Sequence, residues 1–387
     1  MSFTHVQDLT QADGLARDLQ HARRIALDCE AAGFHRYSDR LCLLQVTTER
    51  GTYLIDALAC HPGDLLRPVL EDPRVEVVMH GADYDLRLLD RDLGIHLRGL
   101  FDTQIAAAIL GEPALGLQAL LESRLGVTLS KKYQRADWAE RPLTEGMLDY
   151  AADDTRHLAG LADRLATDLR ATGRTAWAAE ECRILEESAT APREEEPPED
   201  PVVRVKGARD LTPREVMALR SLLEWRDALA RERDRAPFRI VGDRPLLEAV
   251  LTRPVDVRQL AAIKGFPSAL ARSDGDALLE RLDDVAQLPD SELRGFPRPT
   301  RRGPPRPPPE VEALADRLKA ARNRRADELG LDRGTLLPNA TILAIAGEAP
   351  RSEAALARVD GMRRWQVEAA GAALLAVLNR RDGDRPG

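Results

Sequence analysis

The chain is poor in cysteine, lacks any long apolar run and has no excess of basic charge. Its four cysteines show neither the spacing of a metal-binding motif nor the pattern of a secreted disulfide framework. No apolar stretch is long enough to span a membrane, and residues 1–6 lack the pattern of a signal peptide. We therefore expect a cytoplasmic protein that makes no contact with a membrane.

The formal net charge of −8 argues against a uniformly basic nucleic-acid-binding surface. The charge is unevenly distributed, however. Residues 301–387 contain 16 Lys and Arg against 12 Asp and Glu, a net of +4, which leaves −12 for the residues before them. An acidic part that binds cations, joined to a more basic tail, fits this distribution. With 387 residues and 43% hydrophobic side chains, the chain can form two or three domains.

Acidic residues stand out in three patterned segments of the N-terminal half. Asp28 and Glu30 follow the apolar run Ile25–Leu27, which predicts a buried strand. Side chains alternate along a strand, so these two carboxylates share a face and repel each other unless a cation lies between them. Oxygen ligands of this kind suit Mg²⁺, and a pair of such ions can hold both oxygens of a phosphoryl displacement.

The other two acids lie in segments that predict helices next to the same sheet. Apolar runs at 41–46, 53–56 and 75–80 predict further strands, with a hairpin signal at Gly51. A helical pattern after Gly81 places Asp85 near a helix start at the sheet edge. Tyr150 and Asp154 are four residues apart and share a helix face. Each acid alone also fits a turn, a helix cap or a solvated face. The joint order and spacing are therefore the informative feature.

This joint pattern resembles the DEDD family of 3′→5′ exonucleases. Asp28 and Glu30 match its first motif, Asp85 its second and Asp154 its third. Tyr150 matches the tyrosine subclass of that third motif. The resemblance implies an α/β ribonuclease H-like domain, a mixed sheet with flanking helices.

Further features narrow the resemblance to ribonuclease D. Residues 135–144 resemble the stretch before the third motif in that family. The first motif departs from the family pattern at two positions. The family has an aromatic residue after the second acid, whereas here Phe34 is displaced from that position. The residue between the two acids is Cys29, where the family often has Thr. These departures affect how a terminal base is stacked and leave the metal ligands in place.

The resemblance implies a two-metal-ion exoribonuclease that releases nucleoside monophosphates from RNA 3′ ends, in the maturation of tRNA or other structured RNA. Asp28, Glu30, Asp85 and Asp154 would bind two Mg²⁺ or Mn²⁺ ions, which activate the water and stabilise the leaving oxygen. Tyr150 would orient that water, because a phenol is a poor base at neutral pH. Seven residues are candidates for contacts with phosphate or sugar: Gln45, His80, Lys131, Lys132, Arg135, Arg141 and Lys264.

Two other functions remain open at this stage. A DNA 3′→5′ exonuclease would use the same metal ligands, and only the full-length resemblance favours RNA. A non-catalytic RNA-binding protein on a nuclease fold is a different class, which the intact acidic set argues against. We expect the protein to act as a monomer.

The C-terminal half predicts two copies of one helical unit. A fixed offset pairs Leu222 with Leu318 and Gly265 with Gly361, without gaps. The two copies resemble the HRDC domains, all-α units that follow the nuclease in ribonuclease D, and their arginines, Arg322 among them, are candidates to bind phosphates. The predicted division is 1–186 exonuclease domain, 187–207 linker, 208–294 HRDC domain, 295–309 Pro-rich linker and 310–380 second HRDC-like domain.

Overall fold

The computed structural model describes residues 3–191, 199–297 and 307–380. Its first part contains a six-stranded mixed sheet. The strands are β1 (Thr4–Val6), β2 (Arg24–Ala31), β3 (Leu41–Thr47), β4 (Thr52–Asp56), β5 (Glu76–Met79) and β6 (Leu100–Asp102). Their order across the sheet is β1-β4-β3-β2-β5-β6. β3 pairs antiparallel with β2 and β4, and the other pairs are parallel. The predicted strands are confirmed as β2 to β5, whereas β1 and β6 have three residues each and are too short for a recognisable alternation.

Within residues 3–191, eight α-helices accompany this sheet. They are α1 (Asp13–His21), α2 (Gly63–Leu70), α3 (Asp83–Leu93), α4 (Thr103–Leu110), α5 (Leu117–Leu125), α6 (Glu145–Arg156), α7 (Leu158–Ala171) and α8 (Thr175–Ala189). Ile25 and Leu27 of β2 pack with α1, α2, α3 and α8, while the intervening Ala26 packs with α7. Asp28 and Glu30 share the second face, which α6 also covers through its contacts with β2, β3 and β4.

Two helical units follow the sheet. The first contains α9 (Pro213–Glu232), α10 (Pro237–Ile240), α11 (Asp243–Thr252), α12 (Val257–Ala262) and α13 (Ser268–Gln287). The second contains α14 (Pro309–Leu329), α15 (Arg333–Leu336), α16 (Asn339–Glu348), α17 (Glu353–Leu356) and α18 (Arg364–Leu378). The predicted fold class, a mixed sheet with flanking helices followed by two helical units, is confirmed. In the described part of the chain no helix combines the length and apolarity needed to cross a membrane.

The two helical units are copies of one structure. Every helix of the second unit begins 96 residues after its counterpart, as Pro309 does after Pro213. Gly265 and Gly361 adopt matching left-handed conformations with φ of 85° and 74°. The fixed sequence offset therefore reports a structural repeat.

An arginine contact that occurs in both helical units corrects the expectation that Arg322 binds a phosphate. Arg226 donates to the carbonyl of Val241 at 3.1 Å, and Arg322 donates to the corresponding carbonyl of Leu337. Arg322 is only 5% exposed and also bonds Asn339 at 3.0 Å. It closes a helix–turn corner inside the unit, so it is not available to bind a phosphate.

The segments between the units differ in part from the predicted linkers. α8 continues to Ala189, beyond the predicted linker start at residue 187. Val202 and Val205 are buried in the core of the first helical unit, within the range 187–207 predicted as linker. Residues 192–198 of that linker, and residues 298–306 of the Pro-rich one, lie outside the described residues.

The second helical unit is joined to the sheet region by an apolar core. Residues of α4, α5, α7 and α8 belong to one buried cluster with those of α14 to α18. Trp177 and Trp365 stack across the joint with ring centroids 5.1 Å apart. Glu180 accepts hydrogen bonds from the backbone of Arg364 and Trp365, at the start of α18. This unit is therefore part of one folded body with α7 and α8.

The first helical unit is attached differently. It has its own core, and Tyr37 is the residue from the N-terminal part that packs against that core in the described chain. The remaining contacts are mainly polar. Arg40 pairs with Asp234 at 3.0 Å, and the Tyr37 hydroxyl donates to Asp227 at 3.0 Å. A joint with little buried apolar area is weaker than the joint of the second unit.

Candidate active site

Three carboxylates converge on one face of the sheet. Asp28 and Glu30 reach it from β2, and α6 crosses that face so that Asp154 meets them. One ligand oxygen from each lies within 4.8 Å of the other two. All three side chains are partly exposed, so the cluster is open to solvent and to a ligand. Carboxylates this close need a cation or bound protons between them, and hard divalent ions prefer such oxygen donors.

Asp85 stands at the margin of this cluster. It lies in the first turn of α3 and is only 8% exposed. Its oxygens do not belong to the 4.8 Å group, although its charge raises the pKa of Glu30 and the charge of Asp28 raises its own pKa. The charge of Asp85 therefore interacts with those of the cluster, although Asp85 is not one of the three converging ligands.

The turn that carries Asp85 is held by a buried carboxylate. Asp102, at the start of α4, accepts hydrogen bonds from the backbone of Gly81 at 3.0 Å and of Ala82 at 2.8 Å. It also caps its own helix, because Gln104 donates at 2.7 Å. Asp102 thus fixes where α3 begins and where Asp85 points.

Burial raises the pKa of each acid in the cluster. The pKa of Asp28 rises to about 7 by burial, and that of Asp154 rises to about 8 by burial and by the charge of Asp28. Burial and the neighbouring carboxylates also hold the pKa of Glu30 and Asp85 well above their usual range. In the metal-free protein the cluster therefore retains protons near neutral pH, and a divalent cation would displace them.

Tyr150 lies beside Asp154 in a rigid aromatic setting. Its hydroxyl lies near the Asp154 carboxylate, one helical turn away, and that carboxylate contributes to the raised pKa of the phenol. Its ring contacts Tyr133 and Trp138, with centroids 6.2 Å and 6.1 Å distant. Burial and the charges of Asp154, Glu30 and Asp28 raise the pKa of this phenol. Tyr150 therefore stays neutral and can orient a polar group without acting as an anion.

The cluster opens into a cavity of about 660 Å³, within the usual range for small-molecule sites. Besides the acids and Tyr150, the cavity is lined by Gly116 and residues of α5, by residues 129–131 with Gln134, and by His80 and Leu158. Sequence reasoning missed several of the polar residues in this lining, namely Gln118, Glu122 and Gln134. Nothing in their local pattern distinguishes them from the solvated face of an ordinary helix or loop.

Of the candidates for phosphate or sugar contacts, His80 and Lys131 line this cavity. The Thr103 hydroxyl donates to the Met79 carbonyl at 3.0 Å, so it must accept from His80 Nδ1 at 2.9 Å. Nε2 of His80 is then a hydrogen-bond acceptor. Burial lowers the pKa of His80, which keeps the imidazole neutral. Lys132 and Arg135 are exposed in the segment that borders the cavity.

Three candidates lie elsewhere. Gln45 is fully buried, so the prediction that it contacts substrate is wrong. Arg141 binds the buried Asp56 through two bonds of 2.7 Å and also donates to the Cys42 carbonyl, so its guanidinium is used inside the fold. Lys264 lines a separate groove on the first helical unit. Gln45 is therefore excluded from substrate contact by its own burial, and Arg141 by its ion pair with the buried Asp56.

Family comparisons agree with this geometry. A family model described as 3′-5′ exonuclease matches residues 3–170, and the HRDC domain model matches twice, at 215–282 and 311–378. The two HRDC matches coincide with the two helical units and carry the same offset.

Relatives of known identity cover most of the chain. Ribonuclease D of Pseudomonas paraeruginosa is 35% identical over 92% of this chain and 92% of its own length. The crystal structure of Escherichia coli RNase D, "an exoribonuclease involved in structured RNA processing", covers 98% of this chain and 99% of its own at 25% identity, with a TM-score of 0.63. The catalytic core of RRP6 from Trypanosoma brucei covers 74% of this chain and 80% of its own at 30% identity, with a TM-score of 0.65. The chain belongs to the ribonuclease D family of 3′→5′ exoribonucleases.

Proposed function

We propose that Asp28, Glu30, Asp85 and Asp154 bind two divalent ions, Mg²⁺ or Mn²⁺, at which the chain removes nucleoside monophosphates from RNA 3′ ends. The observation that carries this proposal is the convergence of three carboxylates within 4.8 Å in a cavity of nucleotide size. The raised pKa values of the acids support it, because a site built only for stability would not gather unpaired carboxylates. When bound, the ions would lower the pKa of water and stabilise the leaving oxygen.

The chain's own groups have distinct roles in this proposal. Tyr150 orients the attacking water through its neutral hydroxyl, held between Asp154 and the rings of Tyr133 and Trp138. Lys131 supplies positive charge at the cavity for a phosphate. His80 offers the acceptor Nε2, which suits a sugar hydroxyl better than a phosphate oxygen.

We infer that the natural substrate is a structured RNA such as a tRNA precursor. The description of the E. coli relative supports this class of substrate. DNA remains the competing substrate, since metal ligands alone do not distinguish the two. The acids, Tyr150 and the cavity all come from one chain, so a monomer suffices for the reaction.

The division of labour along the chain follows from the joints. We propose that residues 1–186 are the exonuclease domain, and that the helical units, predicted at 208–294 and 310–380, serve it differently. The buried core shared with α7 and α8 supports a structural role for the second unit. The polar joint of the first unit leaves more of its surface available to a substrate.

The test compares Asp154→Asn with Asp153→Asn on matched 3′-labelled RNA and DNA single strands. Asp153 is the neighbouring acid and forms an ion pair with Arg156, so it provides a control for charge on the same helix. We expect Asp154→Asn to abolish trimming and Asp153→Asn to keep it, with RNA trimmed faster than DNA. Calorimetric Mg²⁺ and Mn²⁺ titrations of both variants report binding directly. Wild-type trimming by Asp154→Asn would refute the metal site, and equal rates on both polymers would refute the RNA assignment.

A further inference from the structure

Two exposed phenylalanines meet where the sheet region joins the first helical unit. Phe34 lies in the segment after β2, and Phe238 lies in α10. Their ring centroids are 5.5 Å apart with an angle of 52° between the planes. Phe34 is 45% exposed and Phe238 is 54% exposed. An ordinary joint between units buries its aromatic side chains, whereas this one leaves both rings about half exposed.

Two arginines lie against these rings. The guanidinium of Arg239 is 4.9 Å from the centroid of Phe34 and 5.8 Å from that of Phe238, and the guanidinium of Arg135 is 5.8 Å from that of Phe34. We call these four residues the aromatic platform. Across residues 3–191, 199–297 and 307–380, neither arginine forms an ion pair.

Other arginines of the same joint do have acidic partners. Nearby Arg36 and Arg40 are neutralised by Asp137 and Asp234. The platform therefore presents positive charge that has no acidic partner in the described chain, next to half-exposed aromatic rings. That combination binds single-stranded nucleic acid, because each base has a π-face to stack and each phosphate carries a negative charge.

Hydrogen bonds across the joint hold the platform in place. The backbone N–H of Ala236 donates to the His35 carbonyl at 3.0 Å. Nε of Arg239 donates to the Phe34 carbonyl at 2.9 Å, which fixes the guanidinium over the ring. A surface whose geometry is already fixed loses little conformational entropy when it binds a ligand.

Two residues of the platform are close neighbours in sequence of residues that line the catalytic cavity. Glu30 of the acidic cluster comes four residues before Phe34, and Gln134 of the cavity wall comes immediately before Arg135. Neither Phe34 nor Arg135 lines the cavity itself. The platform therefore borders the site and lies outside the space for the terminal nucleotide.

We propose that the aromatic platform stacks a base of the single-stranded RNA segment on the 5′ side of the nucleotide being removed. This rests on the proposed function, since it assigns a second contact for the same substrate. Stacking is tolerant of base identity, so the platform would hold any sequence that is unpaired at this position. It would give the first helical unit a direct role in substrate binding through Phe238 and Arg239.

The experiment is an abasic scan. A series of 12-nucleotide single-stranded RNAs carries one abasic site at successive positions from the 3′ end, and kcat/KM for release of the first nucleotide is measured for each. In the wild-type protein one position outside the terminal nucleotide should lower kcat/KM roughly tenfold, as expected for loss of one stacked base. In Phe238→Ala the sensitivity at that position should disappear, because the stacking partner is already absent.

Controls separate stacking from damage to the fold. Val255→Ala removes a more exposed apolar side chain from the same helical unit and should show the wild-type scan. Phe238→Trp should restore the sensitive position, and melting temperatures check folding. A scan of Phe238→Ala identical to the wild-type scan would overturn the platform and leave the two rings as a contact between the units. If the wild-type protein fails to degrade RNA, the proposed function itself fails and the platform falls with it.

Discussion

Replacing Asp28 with Asn is expected to stabilise the metal-free protein, although it removes a carboxylate that we assign to metal binding. Burial raises the pKa of Asp28 from its ordinary 3.8 to about 7. For a fully dehydrated group this corresponds to about 4 kcal/mol lost from the free energy of unfolding when the folded protein must ionise it. Asp28 is partly exposed at the cavity, so water screens part of the cost and we expect about 2 kcal/mol.

The sign of the effect changes with pH in a defined window. Below about pH 4 the group is protonated in both states and costs nothing. Between about pH 4 and 7 the unfolded chain ionises Asp28 while the folded protein does not, so wild-type stability falls as the pH rises. Above about pH 7 the loss is complete. The advantage of Asp28→Asn should therefore be largest at pH 8 and less than half as large at pH 5.

Thermal melting in chelator at pH 5 and pH 8 measures this difference. About 2 kcal/mol corresponds to a rise of about 2–3 °C for one cooperative transition of a chain this long. Asp284→Asn, an exposed acid on α13, controls for a general change in surface charge. Adding Mg²⁺ should raise the wild-type melting temperature and affect Asp28→Asn less, since ligand binding stabilises the folded state. An advantage for Asp28→Asn that is equal at both pH values, or absent, would refute the reasoning.

Two further variants test other parts of the site. Tyr150→Phe keeps the ring beside Tyr133 and Trp138 but removes the hydroxyl. Single-turnover cleavage should therefore slow by roughly 10²-fold, with substrate binding retained. An unchanged rate would leave Tyr150 with a packing role only. Arg141→Ala leaves the buried Asp56 carboxylate without its cationic partner and should destabilise folding by about 3–5 kcal/mol in urea denaturation. A smaller loss, similar to that of the exposed Lys264→Ala, would contradict the assignment of Arg141 to the fold.

The sequence predicts those parts of the site that local geometry decides. Alternation along β2 is enough to place Asp28 and Glu30 on one face, and helical spacing is enough to align Tyr150 with Asp154. The two pairs meet because α6 crosses the sheet. The family resemblance implies this convergence, whereas the spacing of residues within each segment does not predict it.

The errors in the predicted site come from long-range partners. Arg141 and Arg135 belong to the same polar segment of the sequence. Arg141 forms an ion pair with the buried Asp56, whereas Arg135 stays at the surface, and the sequence of the segment does not show this difference. Gln45 lies on a strand whose two faces are both covered, so its burial depends on α6 and not on its neighbours in sequence. Phe34 and Phe238 meet only because the first helical unit docks beside β2.

The repeat shows why identical units can have different functions. The fixed offset predicts that the two helical units share one fold, and they do, yet their apolar surfaces are used differently. The second unit buries Trp365 against Trp177, and a left-handed Gly111 with a φ of 84° lets the Gly330 carbonyl approach where a side chain would clash. Ending the chain near residue 190 would therefore expose this core. Such a fragment could not report on RNA binding alone, because it would also lose stability.

The first helical unit is attached in a different way from the second. Its own core is complete, so its joint with the sheet region can consist of ion pairs and hydrogen bonds such as Arg40–Asp234. A polar joint leaves aromatic side chains uncovered at its edge, and there Phe238 and Arg239 meet Phe34 beside the acidic cluster. Arg239 adds a hydrogen bond to this joint, and its guanidinium, which has no acidic partner in the described chain, also favours a nucleotide beside the half-exposed rings. We therefore expect the first unit, whose joint with the sheet region is mainly polar, to be the one that contacts substrate.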